Sequence, residues 1–302
     1  MNYYKCCTLC PRKCMVNRYK ELGFCNLDNN IYLALAKPFF YEEPPISGTM
    51  GSGTIFFSGC NLKCIFCQNI EISKYNKGLK VSITRLAEIM LELEKQGVHN
   101  INLVTPTMYI QGIIKAIKKA KRNGLSIPII YNCSGYENID SIKLLDGYID
   151  VYLPDFKYFD NNLGIKYSKC PNYLENAKLA LKEMLRQTGP CKFNNDGIIK
   201  KGVIVRHLVL PRHIDDSKKI INYLYSTYKD DIYISIMNQY TPNKYVNDKD
   251  LKRKLRVNEY NEIIDYAVDL GIKNAFCQTG GTVSESFIPN FNFYGIRKEV
   301  LK

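Results

Sequence analysis

The chain has 302 residues, 46% of them hydrophobic, and carries 42 lysines and arginines against 29 aspartates and glutamates, a formal charge of +13. That length fills one large domain plus a small appendage, and that apolar fraction is too high for a disordered chain. Apolar runs such as Ile127–Ile130 fall far short of the ~20 residues a membrane-spanning helix needs, and the opening Met-Asn-Tyr-Tyr-Lys lacks the apolar core of a signal peptide, so a soluble, cytoplasmic protein with no membrane contact is expected.

Residues 1–50 are rich in Cys and Pro, lack long periodic segments and end in the turn-forming Pro44-Pro45-Ile46-Ser47-Gly48, the pattern of a small metal-stabilised module. Of the twelve cysteines, eight sit in two tight clusters, which points to metal or cluster ligation in a reducing compartment rather than to a disulfide scaffold. The first cluster contains Cys7, Cys10, Cys14 and Cys25, spaced C-x2-C-x3-C-x10-C. It offers four thiolates, enough to saturate either a zinc ion or an auxiliary iron–sulfur cluster. A saturated site would be structural or electron-relaying; reduced, unliganded thiols are the alternative, and Cys6 is left over.

From Gly51 onward, short β-branched or aromatic runs alternate with amphipathic helical patterns, the signature of parallel βαβ units. The predicted strands are Thr54–Ser58, Ile101–Val104, Pro128–Asn132, Ile149–Leu153, Val203–Val209 and Ile232–Met237. Between the first two, Ser82 or Thr84 can cap a helix on which Leu86, Met90 and Leu93 recur at helical spacing and which Gly97 can end; Tyr173–Arg186 behaves likewise. The expected fold class is α/β. It is a partial (β/α)6 TIM-like barrel of parallel strands over residues 51–302, with a C-terminal helical extension, preceded by the Cys-rich module over 1–50. In such sheets ligands gather at the carboxyl ends of the strands, so functional residues should follow each strand. The basic runs Lys115, Lys118, Lys119, Lys121, Arg122 and Lys249, Lys252, Arg253, Lys254, Arg256 are read as solvated helix faces in preference to a nucleic-acid surface.

Directly after the first strand, the run Cys60-Asn-Leu-Lys-Cys64-Ile-Phe-Cys67 places three thiols as C-x3-C-x2-C. Structural zinc takes four ligands, usually in two separated pairs, whereas no histidine lies near this loop and the next cysteine is the distant Cys133. A cubane 4Fe–4S cluster normally takes four thiolates, so three leave one iron open to an exogenous ligand. A zinc knuckle or unliganded thiols are the alternatives.

With Phe66 as its aromatic residue, this loop resembles the C-x3-C-x-aromatic-C motif that defines radical S-adenosylmethionine (radical SAM) enzymes. The resemblance implies a 4Fe–4S cluster on Cys60, Cys64 and Cys67 whose open iron takes the amino and carboxylate groups of SAM. It also implies one-electron cleavage of the sulfonium to methionine and a 5′-deoxyadenosyl radical. Cys67-Gln-Asn69 and further segments narrow the resemblance to the pyruvate formate-lyase activating enzymes and, among their relatives, to a group with a Cys-rich N-terminus. Those segments are Cys7-Thr-Leu-Cys10-Pro-Arg-Lys-Cys14, Glu43-Pro-Pro-Ile-Ser-Gly48, Asn100-Ile-Asn-Leu-Val-Thr-Pro-Thr107 and Arg206-His-Leu-Val-Leu-Pro211.

Pro154-Asp155-Phe156-Lys157 resembles the family's Asp-x-Lys motif, and the two-residue period puts both charged side chains on one face. The resemblance implies that Lys157 helps hold SAM and that Asp155 orders the nearby polar network; an exposed ion pair is the plain alternative. On the fifth strand Val203, Val205, His207 and Val209 share one face and Ile204, Arg206, Leu208 and Leu210 the other. A buried arginine needs an anionic partner, and the resemblance implies that Arg206 contacts SAM in preference to a purely structural ion pair. His207 should then face the helices as a packed core histidine, with His99 and His213 as loop residues outside the chemistry. Activating enzymes carry Gly-Gly-Glu after the second strand to bind the SAM amino group, whereas this chain has Val104-Thr105-Pro106-Thr107. Thr105 and Thr107 offer hydroxyl acceptors at the same depth, with acidity lost. Asn132 and Ser134 share a face of the third strand and can contact ribose or adenine, or serve the turn before Gly135.

Three functions follow. The first is a radical SAM oxidoreductase like the activating enzymes, abstracting hydrogen from a protein or peptide substrate such as a glycyl radical enzyme. It would take electrons from an acidic flavodoxin or ferredoxin-type donor steered by a basic face around the cluster mouth. The second keeps the radical chemistry and directs it at RNA, on the strength of the positive charge. The third is a non-catalytic metal-ribbon protein that binds nucleic acid or a partner.

Overall fold

The computed structural model describes residues 2–278 and 289–297; the remainder of the expected C-terminal extension, 279–288 and 298–302, lies outside the described residues. Ten strands form among them: β1 (Ile31–Phe39), β2 (Ser52–Phe57), β3 (Leu79–Val81), β4 (Ile101–Val104), β5 (Ile129–Cys133), β6 (Val151–Pro154), β7 (Lys192–Phe193), β8 (Ile199–Leu208), β9 (Tyr233–Met237) and β10 (Ala275–Cys277). Their order across the sheet is β10-β9-β8-β6-β5-β4-β2-β1-β3, with β7 pairing off this path onto β8. All six predicted strands form, as β2, β4, β5, β6, β8 and β9, and every pairing among them is parallel. The terminal strands β10 and β3 do not pair, so the sheet is a partial, open barrel.

Two strands fall outside the sequence reading. β10 adds a seventh parallel member beside β9, and at three residues it is too short to show a period. β1 lies within residues 1–50, yet pairs antiparallel with β2 from Leu33↔Phe57 to Phe39↔Ser52 and with β3 on its other side. The sheet therefore reaches into the stretch assigned to the N-terminal module. Both faces of β1 are covered, so it shows no polar alternation to mark it.

Helices Ile83–Lys95, Ile110–Arg122, Tyr173–Thr188, Ile214–Tyr228 and Val257–Asp269 cover the outer face. The first starts where Ser82 Oγ accepts the Arg85 N–H at 3.0 Å and turns its stripe of Leu86, Ile89, Met90 and Leu93 onto the sheet. On the inner face Ile130, Val151, Leu153, Ile199 and Ile204 surround Ile46, all fully buried. Ile46 comes from the short helix Pro44–Ser47, whose carbonyl at Ile46 accepts from Asn100 Nδ2 at 2.8 Å. This plug fills the bore at the amino ends of the strands. Across the open side, the segment 289–297 returns to β1: Phe293 N–H donates to Ala34 O at 3.1 Å, Ala36 N–H donates to Tyr294 O at 2.9 Å, and Phe291 packs on Leu35, Phe56 and Ile72.

Strands β4 and β5 are parallel, so the helix between them ends at the amino end of β5. Lys118, Lys119, Lys121 and Arg122 thus lie at the opposite end of the barrel from the cysteine loop, which follows β2. The run from Lys249 to Arg256 follows β9 and lies at the loop's end, with Arg253 paired to Glu259 at 2.7 Å. Among the described residues no helix is long and apolar enough to cross a membrane.

The plug sets a stability test. Ile46→Ala should destabilise the chain by about 2–4 kcal/mol, through lost burial and the cavity left behind. Ile165→Ala, at a site 52% exposed, should fall within about 0.5 kcal/mol of wild type in the same urea titration. Equal midpoints for the two variants would remove Ile46 from the barrel core.

Candidate active site

Chain leaving β2 turns at Gly59 into the cysteine loop, and Asn61 pins that loop from beneath: its buried Nδ2 donates to Tyr136 O at 2.6 Å. Each of the three sulfurs then meets a hydrogen-bond donor or hydroxyl. Leu62 N–H points to Cys60 Sγ at 3.4 Å, Ser168 Oγ donates to Cys64 Sγ at 2.9 Å, and Ser73 Oγ lies 3.2 Å from Cys67 Sγ. Burial pushes the Cys60 thiol up to about 12 and the Cys64 thiol to about 11, in part because each neighbours another cysteine of the trio. Cys67 is raised for the same first reason. Three acids packed together in a buried loop resist ionising on their own, and a cationic metal centre removes that penalty. The donor set therefore fits an iron–sulfur cluster.

The three cysteines line one cavity of about 260 Å³ together with Phe66, Thr105, Asn132, Ser134, Asp155, Lys157 and Arg206. These residues come from the carboxyl ends of five different strands and the loops that follow them. Lys157 Nζ donates to Asp155 Oδ2 at 2.6 Å, and both side chains are only 16–17% exposed, which rules out the exposed surface pair. Arg206 Nε donates to Asp155 Oδ1 at 3.0 Å and its Nη2 to Asn132 Oδ1 at 2.6 Å. Burial alone would raise Asp155 and lower Lys157. The opposite charges win, holding Asp155 below its ordinary value and Lys157, beside Asp155, above its own. Backbone geometry fixes the same groups: Tyr173 Oη shares its one proton between Ser134 O at 2.9 Å and Asp155 O at 3.0 Å and accepts from Lys157 N–H at 2.9 Å. Gly135, with φ +76°, leaves room for the Asp155 carbonyl, into which any Cβ would collide.

His207 points to the outer layer, between Phe156 O at 2.8 Å and Ser217 Oγ at 2.9 Å, and burial depresses it to about 4, so it is a neutral core histidine. Thr107 corrects the sequence reading. Pro106 opens a 3₁₀ turn over Thr107–Tyr109 that rotates Thr107 out of the cavity, and its hydroxyl donates to the buried Glu137 at 2.8 Å. Thr105 stays on the cavity wall in the left-handed region, φ +61°, a conformation rare for a β-branched residue.

Sequence reasoning missed Glu42, which lines the same cavity and meets Arg206 Nη1 at 3.2 Å. Its signal was faint: two acids ahead of a Pro-Pro turn, with the partner 164 positions away. It also missed Ser168 and Asn61, small polar residues without a periodic pattern.

At the N-terminus, Cys7, Cys10 and Cys25 are buried and Cys14 is half-buried. The sulfurs of Cys14 and Cys25 flank Gly23, and the Phe24 N–H points to Cys14 Sγ at 3.4 Å. Burial, with Cys25 and Cys7 adding to it, raises the Cys10 thiol. Among the described residues no three metal-ligating side chains converge as a single ion requires. The segment braces the cysteine loop: Arg12, stacked 3.7 Å over Phe24, donates Nε to Asn61 O at 2.9 Å, and Asn138 Nδ2 donates to Thr8 O at 2.7 Å.

The profile of the Radical SAM superfamily matches residues 54–224, from β2 through the cysteine loop, Asp155, Lys157 and Arg206. The chain belongs to the radical SAM superfamily. An uncharacterized protein of Methanocaldococcus jannaschii is 32% identical over 280 residues, covering 88% of this chain and 75% of that one. A candidate glycyl-radical enzyme activating enzyme of Haemophilus influenzae is 30% identical over 120 residues, 37% of this chain and 45% of the relative. Among solved structures, Streptococcus suis SuiB bound to S-adenosylmethionine aligns with a TM-score of 0.49 at 15% identity, over 74% of this chain and 48% of that one. The chain thus spans about half the length of SuiB.

The buried pair in this radical SAM site supports a double-mutant cycle. Asp155→Ala leaves both cations without their shared acid and should cost about 3–5 kcal/mol of unfolding free energy. The double variant with Lys157→Met should cost less than the sum of the single changes. Additive losses in chemical denaturation would show that the two side chains are not coupled.

Proposed function

We propose that this radical SAM protein is an oxidoreductase of the activating-enzyme type, abstracting a hydrogen atom from a protein or peptide. The observation that carries the reading is the meeting, in one cavity, of the three closely spaced thiols of the loop after β2 with the chain Lys157–Asp155–Arg206. When bound, a 4Fe–4S cluster and SAM supply an electron and a cleavable sulfonium, the source of a 5′-deoxyadenosyl radical.

The chain's own residues bind, orient and exclude water. Cys60, Cys64 and Cys67 hold the cluster, and Leu62 N–H, Ser168 and Ser73 orient the sulfurs. Lys157 and Arg206 offer cations to the carboxylate of SAM, with Asp155 setting their spacing. Thr105 offers a hydroxyl acceptor to its amino group, Asn132 and Ser134 offer amide and hydroxyl groups to its ribose and adenine, and Phe56, Phe66 and Leu208 supply apolar wall. A protein or peptide substrate is favoured by the likeness to the Haemophilus influenzae protein, whose name gives it a glycyl-radical enzyme as target. Electrons would come from an acidic flavodoxin or ferredoxin-type protein. The quartet Cys7, Cys10, Cys14 and Cys25 is proposed as a second metal centre, zinc or an auxiliary cluster, braced against the cysteine loop through Arg12.

Anaerobic reconstitution with iron and sulfide, then addition of SAM and a strong reductant, should yield 5′-deoxyadenosine from the wild type and none above background from Cys64→Ala. Intact SAM, or only mononuclear metal in the loop, overturns the enzymatic reading. A variant with Cys60, Cys64 and Cys67 all changed to Ala should still retain metal by elemental analysis, and complete loss would dismiss the N-terminal centre.

A further inference from the structure

The floor of the cavity carries a carboxylate from outside the segment that the superfamily profile matches. Glu42 lies just ahead of Glu43, the residue that caps the plug helix, and its N–H donates to Ser47 Oγ at 3.0 Å, so the turn that buries Ile46 also aims Glu42 into the bore. Its side chain is 9% exposed. One oxygen accepts from Asn102 Nδ2 at 2.9 Å and the other meets Arg206 Nη1 at 3.2 Å. Arg206 is therefore gripped on three edges, by Glu42, Asp155 and Asn132. Without Glu42, the guanidinium keeps partners only on the β5 and β6 side and is free to tilt about Nε.

We propose that Glu42 is a positioning residue for SAM binding: it fixes Arg206 and, through Asp155, the ammonium group of Lys157. The proposal rests on the reading of Arg206 and Lys157 as SAM-holding groups. Facing Glu42 are Arg206 from β8, Asp155 after β6 with Lys157 beyond it, Glu43 on its own segment and the neutral Asn102 from β4. Burial pushes the Glu42 carboxyl up to about 7 against the pull of Arg206, with Glu43 and Asp155 adding to the rise. Above that pH the carboxylate is ionised and holds Arg206; below it the group is neutral and the grip slackens. SAM affinity should therefore fall as pH drops from 8 to 6.

The test is the dissociation constant of SAM, measured by anaerobic calorimetry on the cluster-loaded protein from pH 6 to 8.5. The wild-type constant should rise about tenfold from pH 8 to pH 6, the size expected for losing a charge-assisted hydrogen bond. Glu42→Gln should bind at pH 8 as weakly as the wild type does at pH 6, and the wild-type pH component should be missing from its profile. Asn102→Ala, which removes the hydrogen bond that favours the ionised form, should move the wild-type midpoint to higher pH, an effect that a purely structural role does not produce. It also keeps the question open to test if Glu42→Gln fails to fold. A Glu42→Gln profile matching wild type, or an unmoved midpoint in Asn102→Ala, overturns the proposal. Arg206→Lys and Lys157→Met separate the two levels. If they weaken binding while Glu42→Gln does not, only the role of Glu42 falls; if they too leave the constant unchanged, the underlying reading of the floor falls with it.

Discussion

A guanidinium buried in the bore of an open barrel is the constraint to which the rest of the site answers. Arg206 on β8 cannot stay charged away from water unless its donors are met, and an uncompensated buried charge costs several kcal/mol. Its partners come from Asn132 at the end of β5, Asp155 after β6 and Glu42 ahead of the plug helix. Three neighbouring strands of the sheet, and a segment from the N-terminal stretch, must therefore reach one fixed spacing before the charge is satisfied. An ordinary barrel gains its rigidity by closing the hydrogen-bond ladder, and this sheet does not close. The charge network supplies part of that rigidity across the bore. The Ile46 plug fills one end with apolar side chains, and the opposite end, where the cysteine loop lies, is left as cavity.

The cysteine loop answers to a second constraint. Three thiols held close in a buried loop repel ionisation, so the loop is least comfortable in the deprotonated form that metal binding requires. Holding it ready takes support from elsewhere in the chain. Asn61 is tied to the β5 loop, Arg12 reaches over from the N-terminal segment, and Gly59 sits where a Cβ would collide with Leu27. Part of the free energy of metal binding is then available to the fold of both segments.

Legibility in the sequence follows the range of the interaction. The six parallel strands were readable because each is a short run bounded by turn residues, and the three-cysteine loop because its spacing is local and chemically restrictive. Asp155, Lys157 and Arg206 were placed correctly on the inner face by two-residue alternation, and the same rule turned His207 outward. β1 escaped because burial on both faces erases alternation. Thr107 was misplaced because Pro106 starts a 3₁₀ turn, which breaks the register that a strand-based argument extends. Glu42 was out of reach for a different reason: nothing within its own segment records that Arg206, far along the chain, would need a third partner.

The Gly-Gly-Glu acid of activating enzymes has no counterpart in Val104-Thr105-Pro106-Thr107. Thr105 adopts a left-handed backbone, φ +61°, and its N–H is committed to Asn132 O at 2.9 Å. The acids that remain, Asp155 and Glu42, are each engaged by Arg206, and Asp155 also by Lys157. Two cations therefore meet two carboxylates directly, and the buried Glu43 acts on Arg206 from the segment of Glu42. A hydroxyl such as that of Thr105 suits an ammonium donor without adding a charge that the buried floor would have to balance.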